Sequence, residues 1–324
     1  MFKIESRKLS KEDCHSLARI FVTAREKTPL ESNRDMESVV DFFEKISMND
    51  EYQILTGIGE NGNIVGCIYY YIAFPLMAFI EGFLPIIDKS RNPKEIALSL
   101  IEIAKKSITE IGHTRLEVEF KLPTPAHRAC SEKYVKWYRA AGFQFAAEEV
   151  HMESDLTAVD LPQLDLPQGY QTRKFSEMPY ELLETPGYQA FEDSKDGLFS
   201  SMSLEEQKIT IQYFFDKSKP HIEDASLVLV SQEKVVGFVI TREKDNEPEI
   251  GPIGLVPNAR RKGLGQYLLV SALKALKDSG FANVTLDMSI TNLPAKKLYR
   301  KFGFEDVYYK QFYYWAPEMN TNAC

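Results

Sequence analysis

The segment Leu255-Val256-Pro257-Asn258-Ala259-Arg260-Arg261-Lys262-Gly263-Leu264-Gly265-Gln266 constrains this chain more than any other. An apolar run that reads as a strand passes through three basic residues and two glycines straight into an amphipathic helix. Leu264, Leu268, Ala272 and Leu276 share one face of that helix, while Lys274, Lys277 and Asp278 point away. A helix start leaves backbone N–H groups without partners and carries partial positive charge. Gly263 and Gly265 let a ligand approach that backbone with no Cβ in the way, and Arg260, Arg261 and Lys262 add formal charge. The chemistry implied is the binding of a pyrophosphate. A dinucleotide fingerprint would need a third glycine where Leu268 stands and an acidic residue at the end of the next strand, so a different phosphate loop is required.

A second signal lies at Asn292-Leu293-Pro294-Ala295-Lys296-Lys297-Leu298-Tyr299-Arg300-Lys301-Phe302-Gly303-Phe304. Asn292 is suited to cap a helix on which Asn292, Ala295 and Tyr299 share a face, and Gly303 ends it. Together the two segments resemble the GNAT acetyltransferase superfamily. Its pyrophosphate loop, Arg/Gln-x-x-Gly-x-Gly/Ala, is met by Arg260, Gly263 and Gly265. Its later helix, Asn-x-x-Ala-x-x-Leu-Tyr-x-x-x-Gly-Phe, is met by Asn292, Ala295, Leu298, Tyr299, Gly303 and Phe304.

The resemblance implies direct transfer of an acetyl group from acetyl-CoA to a primary amine. It gives the backbone of Gly254, Leu255 and Val256 to the pantetheine arm, with the N–H near Leu255 facing the oxyanion. It gives the diphosphate to the amides of Arg261, Lys262, Gly263, Leu264, Gly265 and Gln266, with Arg260 as part of the same loop. Tyr299 is then the expected general acid for the departing thiolate, and Asn292 a partner of the pantetheine. Glu249 is a candidate base, since strand alternation would put it on the same side as Leu255. A non-catalytic acyl-CoA sensor and a transferase of longer acyl groups are the rival readings.

The chain repeats itself at domain scale. Arg7-Lys8-Leu9-Ser10 is matched by Arg173-Lys174-Phe175-Ser176, Val65-Gly66 by Val236-Gly237, and Trp137-Tyr138-Arg139-Ala140-Ala141-Gly142-Phe143 by 298–304. The expected fold is therefore α/β (α+β): two tandem GNAT-like domains, each a mixed, mostly antiparallel sheet flanked by helices. Residues 1–154 are the expected first domain, 155–167 a linker rich in proline, and 168–324 the active domain. The first half is expected to be degenerate, structural or substrate-shaping. Where the phosphate loop should be it has 86–96, without glycine, and Asn92, Pro93 and Glu95 form the pattern of a capping box that would satisfy the helix donors. Ser131 stands where the second half has Asn292, so Tyr138 is expected to be a packed aromatic.

In the second half, a strand near 169–175 precedes a helical region with a capping box at Ser203 and Glu206. A hairpin comes next over 226–230 and 235–241, then a strand at 249–256, a helix at 263–279, a strand at 283–289 and a helix at 292–302. Two aromatic strands, 304–309 and 311–315, close the chain. The acceptor site should be lined by 184–217, where Glu184, Glu192, Asp193, Asp196, Glu205 and Glu206 read mainly as a solvated acidic face.

Composition sets the outer limits. A length of 324 residues suffices for two cores, and 44% hydrophobic with 27% charged residues is globular. A net charge of −8 argues against general nucleic-acid binding. Four cysteines without a C-x-x-C pair suit a reducing cytoplasm, and five scattered histidines offer no zinc spacing. The uncharged run 63–80 contains Gly66 and Pro75 and reads as two buried strands, not a membrane span. Gly57-Ile58-Gly59-Glu60-Asn61-Gly62 fits a nucleotide-loop string but leads into a strand, and is hairpin chemistry. The expected partner is a small-molecule or peptide amine, with a homodimer the one protein assembly entertained.

Overall fold

A computed structural model of the chain describes residues 2–25, 35–89, 92–192, 196–244 and 246–317. Ser90, Arg91 and Asp193 therefore lie outside the described residues. The fold divides into two compact units, Met1–Ala146 with Lys310–Cys324, and Ala147–Tyr309. The division interleaves the sequence: the end of the chain joins the first unit, and the strand that ends the first half joins the second.

Unit 1 runs β1 (Phe2–Ser6), α1 (Lys11–Arg25), α2 (Met36–Met48), β2 (Tyr52–Gly59), β3 (Ile64–Phe74), β4 (Met77–Glu81), β5 (Ile86–Ile87), α3 (Pro93–Glu110), β6 (Arg115–Leu122) and α4 (Arg128–Ala140). Strand β7 (Gln144–Asp155) then leads into unit 2. The ladder of unit 1 is β1–β2–β3–β4–β6, antiparallel except for the parallel pair β4–β6. The uncharged run 63–80 is thus β3 turning into β4. Among the described residues no helix is long and apolar enough to cross a membrane.

Unit 2 continues with β8 (Gln171–Lys174), α5 (Tyr180–Glu192), α6 (Gly197–Ser200), α7 (Leu204–Phe214), β9 (Leu227–Ser231), β10 (Lys234–Lys244), β11 (Glu247–Leu255), α8 (Leu264–Asp278), β12 (Asn283–Ser289), α9 (Leu293–Lys301) and β13 (Glu305–Trp315). Its ladder is β7–β12–β11–β10–β9–β8, parallel only between β11 and β12. Two apolar layers cover its faces. One joins Leu268, Leu269 and Leu273 of α8 and Tyr299 of α9 to Val150, Met152, Val239, Ile250, Leu286 and Met288 of the strands. The other joins Leu183, Phe199 and Ile211 of α5–α7 to Val228, Val230, Phe238 and Ile240. Alternation of side chains along β9 and β10 supplies both layers from the same strands.

Three expectations need correction. The stretch 155–167 is no free linker: it lies within unit 2, and Val159, Leu161, Leu164 and Leu166 pack on the layer beneath α8. Those apolar residues, spaced two to three apart, are what hold an irregular segment down. The two aromatic strands at the end are one strand, β13, because Lys310 between them brings no turn chemistry. Its residues 305–309 belong to unit 2 and 310–315 to unit 1. In α3 the capping box does not form, since Asn92 makes no side-chain bond to the helix backbone and its amide donates instead to Glu95 Oε2 at 3.3 Å. At Ser203–Glu206 the box is complete in both directions.

Gly254 of β11 is held to glycine by packing. A Cβ there would stand 2.9 Å from both Ala190 Cβ on α5 and Phe238 Cζ on β10. Gly254→Ala should therefore cost about 1–3 kcal/mol, the usual penalty for overpacking. Urea unfolding of the variant beside wild type measures it, with a drop in midpoint at unchanged slope expected.

Candidate active site

Strands β11 and β12 form a fork. Their parallel ladder is a single bridge, Glu249 opposite Thr285, with no further pairing toward Leu255. The corresponding parallel pair in unit 1, β4–β6, is bridged at five successive positions from Met77–Arg115 to Glu81–Glu119. Opening of the fork stems from an irregularity on its other side. Val239 pairs with Ile253 and Thr241 with Ile250, so Gly251 and Pro252 of β11 lie opposite Ile240 alone. This is a β-bulge, and it bends the strand that carries the extra residue.

The bulge also resets which way each residue faces. Ile250, Ile253 and Leu255 all pack into the α8 layer, although strict alternation would send Ile250 to the opposite side from the other two. Glu249 precedes Ile250 and thus faces the α5–α7 side, across the sheet from the Leu255 side chain. Its carboxylate is 28% exposed and pairs with Lys244 Nζ at 3.3 Å. The expectation that Glu249 and Leu255 share a face fails because the chain inserts one residue between them.

Backbone polarity along β11 is equally specific. The Val256 N–H donates to Val236 O at 3.0 Å, and Gly254 pairs with Phe238 in the same hydrogen-bonding phase. Gly254 and Val256 thus turn their polar groups toward β10, while Ile253 and Leu255 turn theirs into the fork. Of the three residues expected to serve a ligand through their backbone, only Leu255 keeps its N–H for the gap. Ile253, which sequence reasoning missed, supplies a second. The signal was present, since Gly251-Pro252 within a strand marks a bulge.

Below the fork the chain makes one turn, Pro257–Ala259, and enters α8. Arg261 and Gly263 both take left-handed φ, +60° and +80°. Gly263 occupies the N-cap, where it has no side chain to bond the helix backbone, so the amides of Leu264, Gly265 and Gln266 open to the outside. Gly265 differs from Gly254: a Cβ there meets only Leu255 Cδ1, at 3.6 Å, an ordinary contact. Nothing inside the fold demands glycine at that position. Arg260 is committed elsewhere, its Nε on Leu255 O at 3.1 Å and its Nη2 on Ala190 O at 3.2 Å. It ties the strand end to α5, leaving the exposed Arg261 and Lys262 as the loop's outward charges. The Gln266 side chain accepts from Lys301 Nζ at 3.1 Å, which joins α8 to α9.

On α9, Asn292 caps the helix by accepting from the Ala295 N–H at 3.3 Å, which leaves its amide NH₂ to donate. Tyr299 is 7% exposed and packs edge-tilted on Phe304, with centroids 5.8 Å apart. Burial pushes its phenol up to about 12. Two acidic residues of the α5–α7 region are structural, while Glu192 and Glu205 are exposed. Asp196 caps α6 and Glu206 is buried in the capping box of α7.

Unit 1 fills the same places with aromatic rings. Phe83, between β4 and β5, packs on Phe120 of β6 and Tyr134 of α4 at 5.3 and 5.5 Å. Tyr134 holds the helical position that Ala295 holds in unit 2, four residues before the motif tyrosine. Tyr138 is fully buried against Phe120 and Phe143, and Ser131 is tied to Arg128 O and Gln311.

A parallel strand pair that leads into an uncapped, glycine-started helix is the arrangement of a protein that offers backbone donors to an anionic ligand. The sequence pattern of the acetyltransferase (GNAT) family matches residues 187–304. The N-alpha-acetyltransferase of Sulfolobus acidocaldarius is 32% identical over 115 residues, 32% of this chain and 68% of that protein. The mycothiol acetyltransferase of Segniliparus rotundus is 33% identical over 95 residues, 27% of this chain. This chain spans only 36% of that relative's length. A tandem GNAT protein from the clavulanic acid biosynthesis pathway shares the fold across 98% of both chains, with a TM-score of 0.53 at 14% identity. The chain belongs to the GNAT acetyltransferase family and is an acyltransferase, and its N-terminal region has the GNAT fold as well.

Because the Tyr299 phenol is raised above its unfolded value of about 10, the group contributes stability that is fully present below pH ~10 and disappears as pH climbs toward 12. Tyr299→Phe should therefore lose less stability than wild type over that alkaline window. Denaturant unfolding at pH ~8 and ~11 compares the two, and equal alkaline losses would contradict the buried-phenol assignment.

Proposed function

We propose that unit 2 is an acetyl-CoA-dependent N-acetyltransferase that passes the acetyl group directly to a primary amine of a small molecule or peptide. The observation that carries this reading is the fork, whose inner backbone donors lead down to the open amides of α8. Residue types fit the ligand. The α8 amides, a left-handed Gly263 and exposed Arg261 and Lys262 suit a diphosphate, and Gly265 leaves room that the fold does not use. Unit 1 is read as degenerate because Phe83 and Tyr134 occupy the equivalent ground.

Acetyl-CoA, when bound, supplies a thioester carbonyl and the diphosphate anchor. The Leu255 and Ile253 N–H groups, turned into the fork, would donate to the carbonyl oxygen and stabilise charge developing there. One such donor is typically worth on the order of 3 kcal/mol. The Asn292 NH₂ donates to the pantetheine. Tyr299 would donate a hydrogen bond to the sulfur. With a pKa near 12, it is a weaker acid than an alkyl thiol at about 8.5. Its part is to donate a hydrogen bond to the thiolate and to part with its proton only as another arrives. In the transfer the N–C bond forms, the C–S bond breaks, and one proton passes from nitrogen to sulfur. Glu249, held in an ion pair with Lys244 Nζ at 3.3 Å, is given no part in this proton path.

Thiol release from acetyl-CoA, with spermidine, kanamycin, an alanine-initiated peptide and a lysine peptide as acceptors, tests the activity. Turnover with at least one amine is expected, falling about 100-fold in Tyr299→Phe. Calorimetry should find one coenzyme A per chain, and two would overturn the reading of unit 1. Gly265→Val should keep the thermal midpoint of wild type yet weaken coenzyme A by at least about 10-fold, or ~1.4 kcal/mol.

A further inference from the structure

We propose that His151 and Asp287 are the proton-accepting pair of the transfer, so that a strand encoded in the first half of the chain completes the acceptor side of unit 2. The inference rests on the acetyl-transfer reading above. Strand β7 pairs antiparallel with β12, and His151 lies directly opposite Asp287. His151 Nδ1 and Asp287 Oδ1 are 2.8 Å apart. The imidazole also stacks on Tyr308 of β13, with centroids 4.5 Å apart and planes 15° from parallel. A carboxylate on one edge and an aromatic face beneath fix both the position and the rotation of the ring.

The pair faces the right way. Val150 and Met152 on β7, and Leu286 and Met288 on β12, point into the α8 layer. His151 and Asp287 therefore point to the opposite side, where they are 14% and 26% exposed. They also sit at the right height. The last bridge between β12 and β11 is at Thr285, so Asp287 lies about 7 Å past the branch point, on the wall of the gap. Ile253 and Leu255 form the opposite wall of the same gap.

An ionised Asp287 can only accept, so Nδ1 of His151 carries the hydrogen and Nε2 is left as the acceptor. When an amine attacks the carbonyl carbon, its nitrogen gains a C–N bond and becomes cationic. His151 Nε2, directly or through one water, takes the proton, and Asp287 stabilises the imidazolium. The C–S bond then breaks, the thiolate leaves under the Tyr299 hydrogen bond, and the proton returns from His151 to solvent as the thiol is protonated. Ionisable groups on this face include Glu149 and Glu153 on β7, Tyr308 on β13, Glu249 of β11 with its partner Lys244, and Arg242 of β10 opposite Glu249. The neighbouring carboxylates favour a cationic acceptor.

Rates against pH, with acetyl-CoA and the same four amines, test the pair in wild type, His151→Gln, Asp287→Asn and Asp287→Glu. His151→Gln should lower kcat about 100-fold and erase the acid limb of the profile, with KM for acetyl-CoA changed by less than about twofold. Asp287→Asn should lower kcat about 10-fold, and Asp287→Glu should restore most of it. Coenzyme A affinity by calorimetry reports whether each variant is folded, and Asp287→Asn carries the test if His151→Gln is not. A His151→Gln enzyme with near-normal kcat and an intact acid limb overturns the inference. So does Glu249→Gln removing that limb instead. A wild type that binds coenzyme A but acetylates none of the amines overturns the acetyl-transfer reading along with it, whereas active wild type and unaffected variants sink this inference alone.

Discussion

The β-bulge at Gly251 and Pro252 is the feature on which the candidate site depends. One extra residue on β11 bends the strand away from β12, opens the fork and re-aims the residues beyond it. It sends the N–H groups of Ile253 and Leu255 into the gap and turns Glu249 to the other face. Arg260 then locks the strand end by donating to Leu255 O and Ala190 O, which holds the entry to α8 in place.

The two units share a plan and differ in what fills it. Both have a parallel strand pair joined through a long helix and followed by a helix bearing the motif tyrosine. In unit 1 the parallel pair is zipped through five bridges, Phe83 wedges against Phe120, and Tyr134 stands where unit 2 keeps Ala295. Aromatic rings of this size, packed edge to face, add to the burial that stabilises a core. A slot so filled loses ligand space and gains packing. Unit 2 keeps Ala295 where unit 1 has Tyr134 and leaves helix donors uncapped, a local cost that a bound anion would offset.

The units exchange strands along the sequence. Strand β7 precedes the whole of the matched family region, yet from Ala147 it belongs to unit 2 and brings His151 to Asp287. The last strand, β13, runs the other way, ending in unit 1 with Tyr313 against Phe120 and Trp315 beneath Lys105. Cutting the chain at 155–167 would take β7 from unit 2, and that segment itself packs on the α8 layer.

Much of this was legible in the residues alone. The loop Arg260–Gly265, the cap at Asn292, the helix over 264–278 and the strand at 283–289 all come from local spacing, because capping and periodicity act within a few residues. The repeat between halves was legible in the same way, as was the absence of glycine between β5 and α3. The sequence by itself determined the family, the elements and the loop, since short-range hydrogen bonding and amphipathic patterning are written in neighbouring residues. Only the tertiary structure decided which backbone amides face the gap, that Arg260 is turned inward, that Glu249 faces away, and that His151 meets Asp287 136 positions later in the chain. Those outcomes hang on strand register, and register is fixed by partners that lie far apart in sequence, where a single inserted residue reverses every side chain after it.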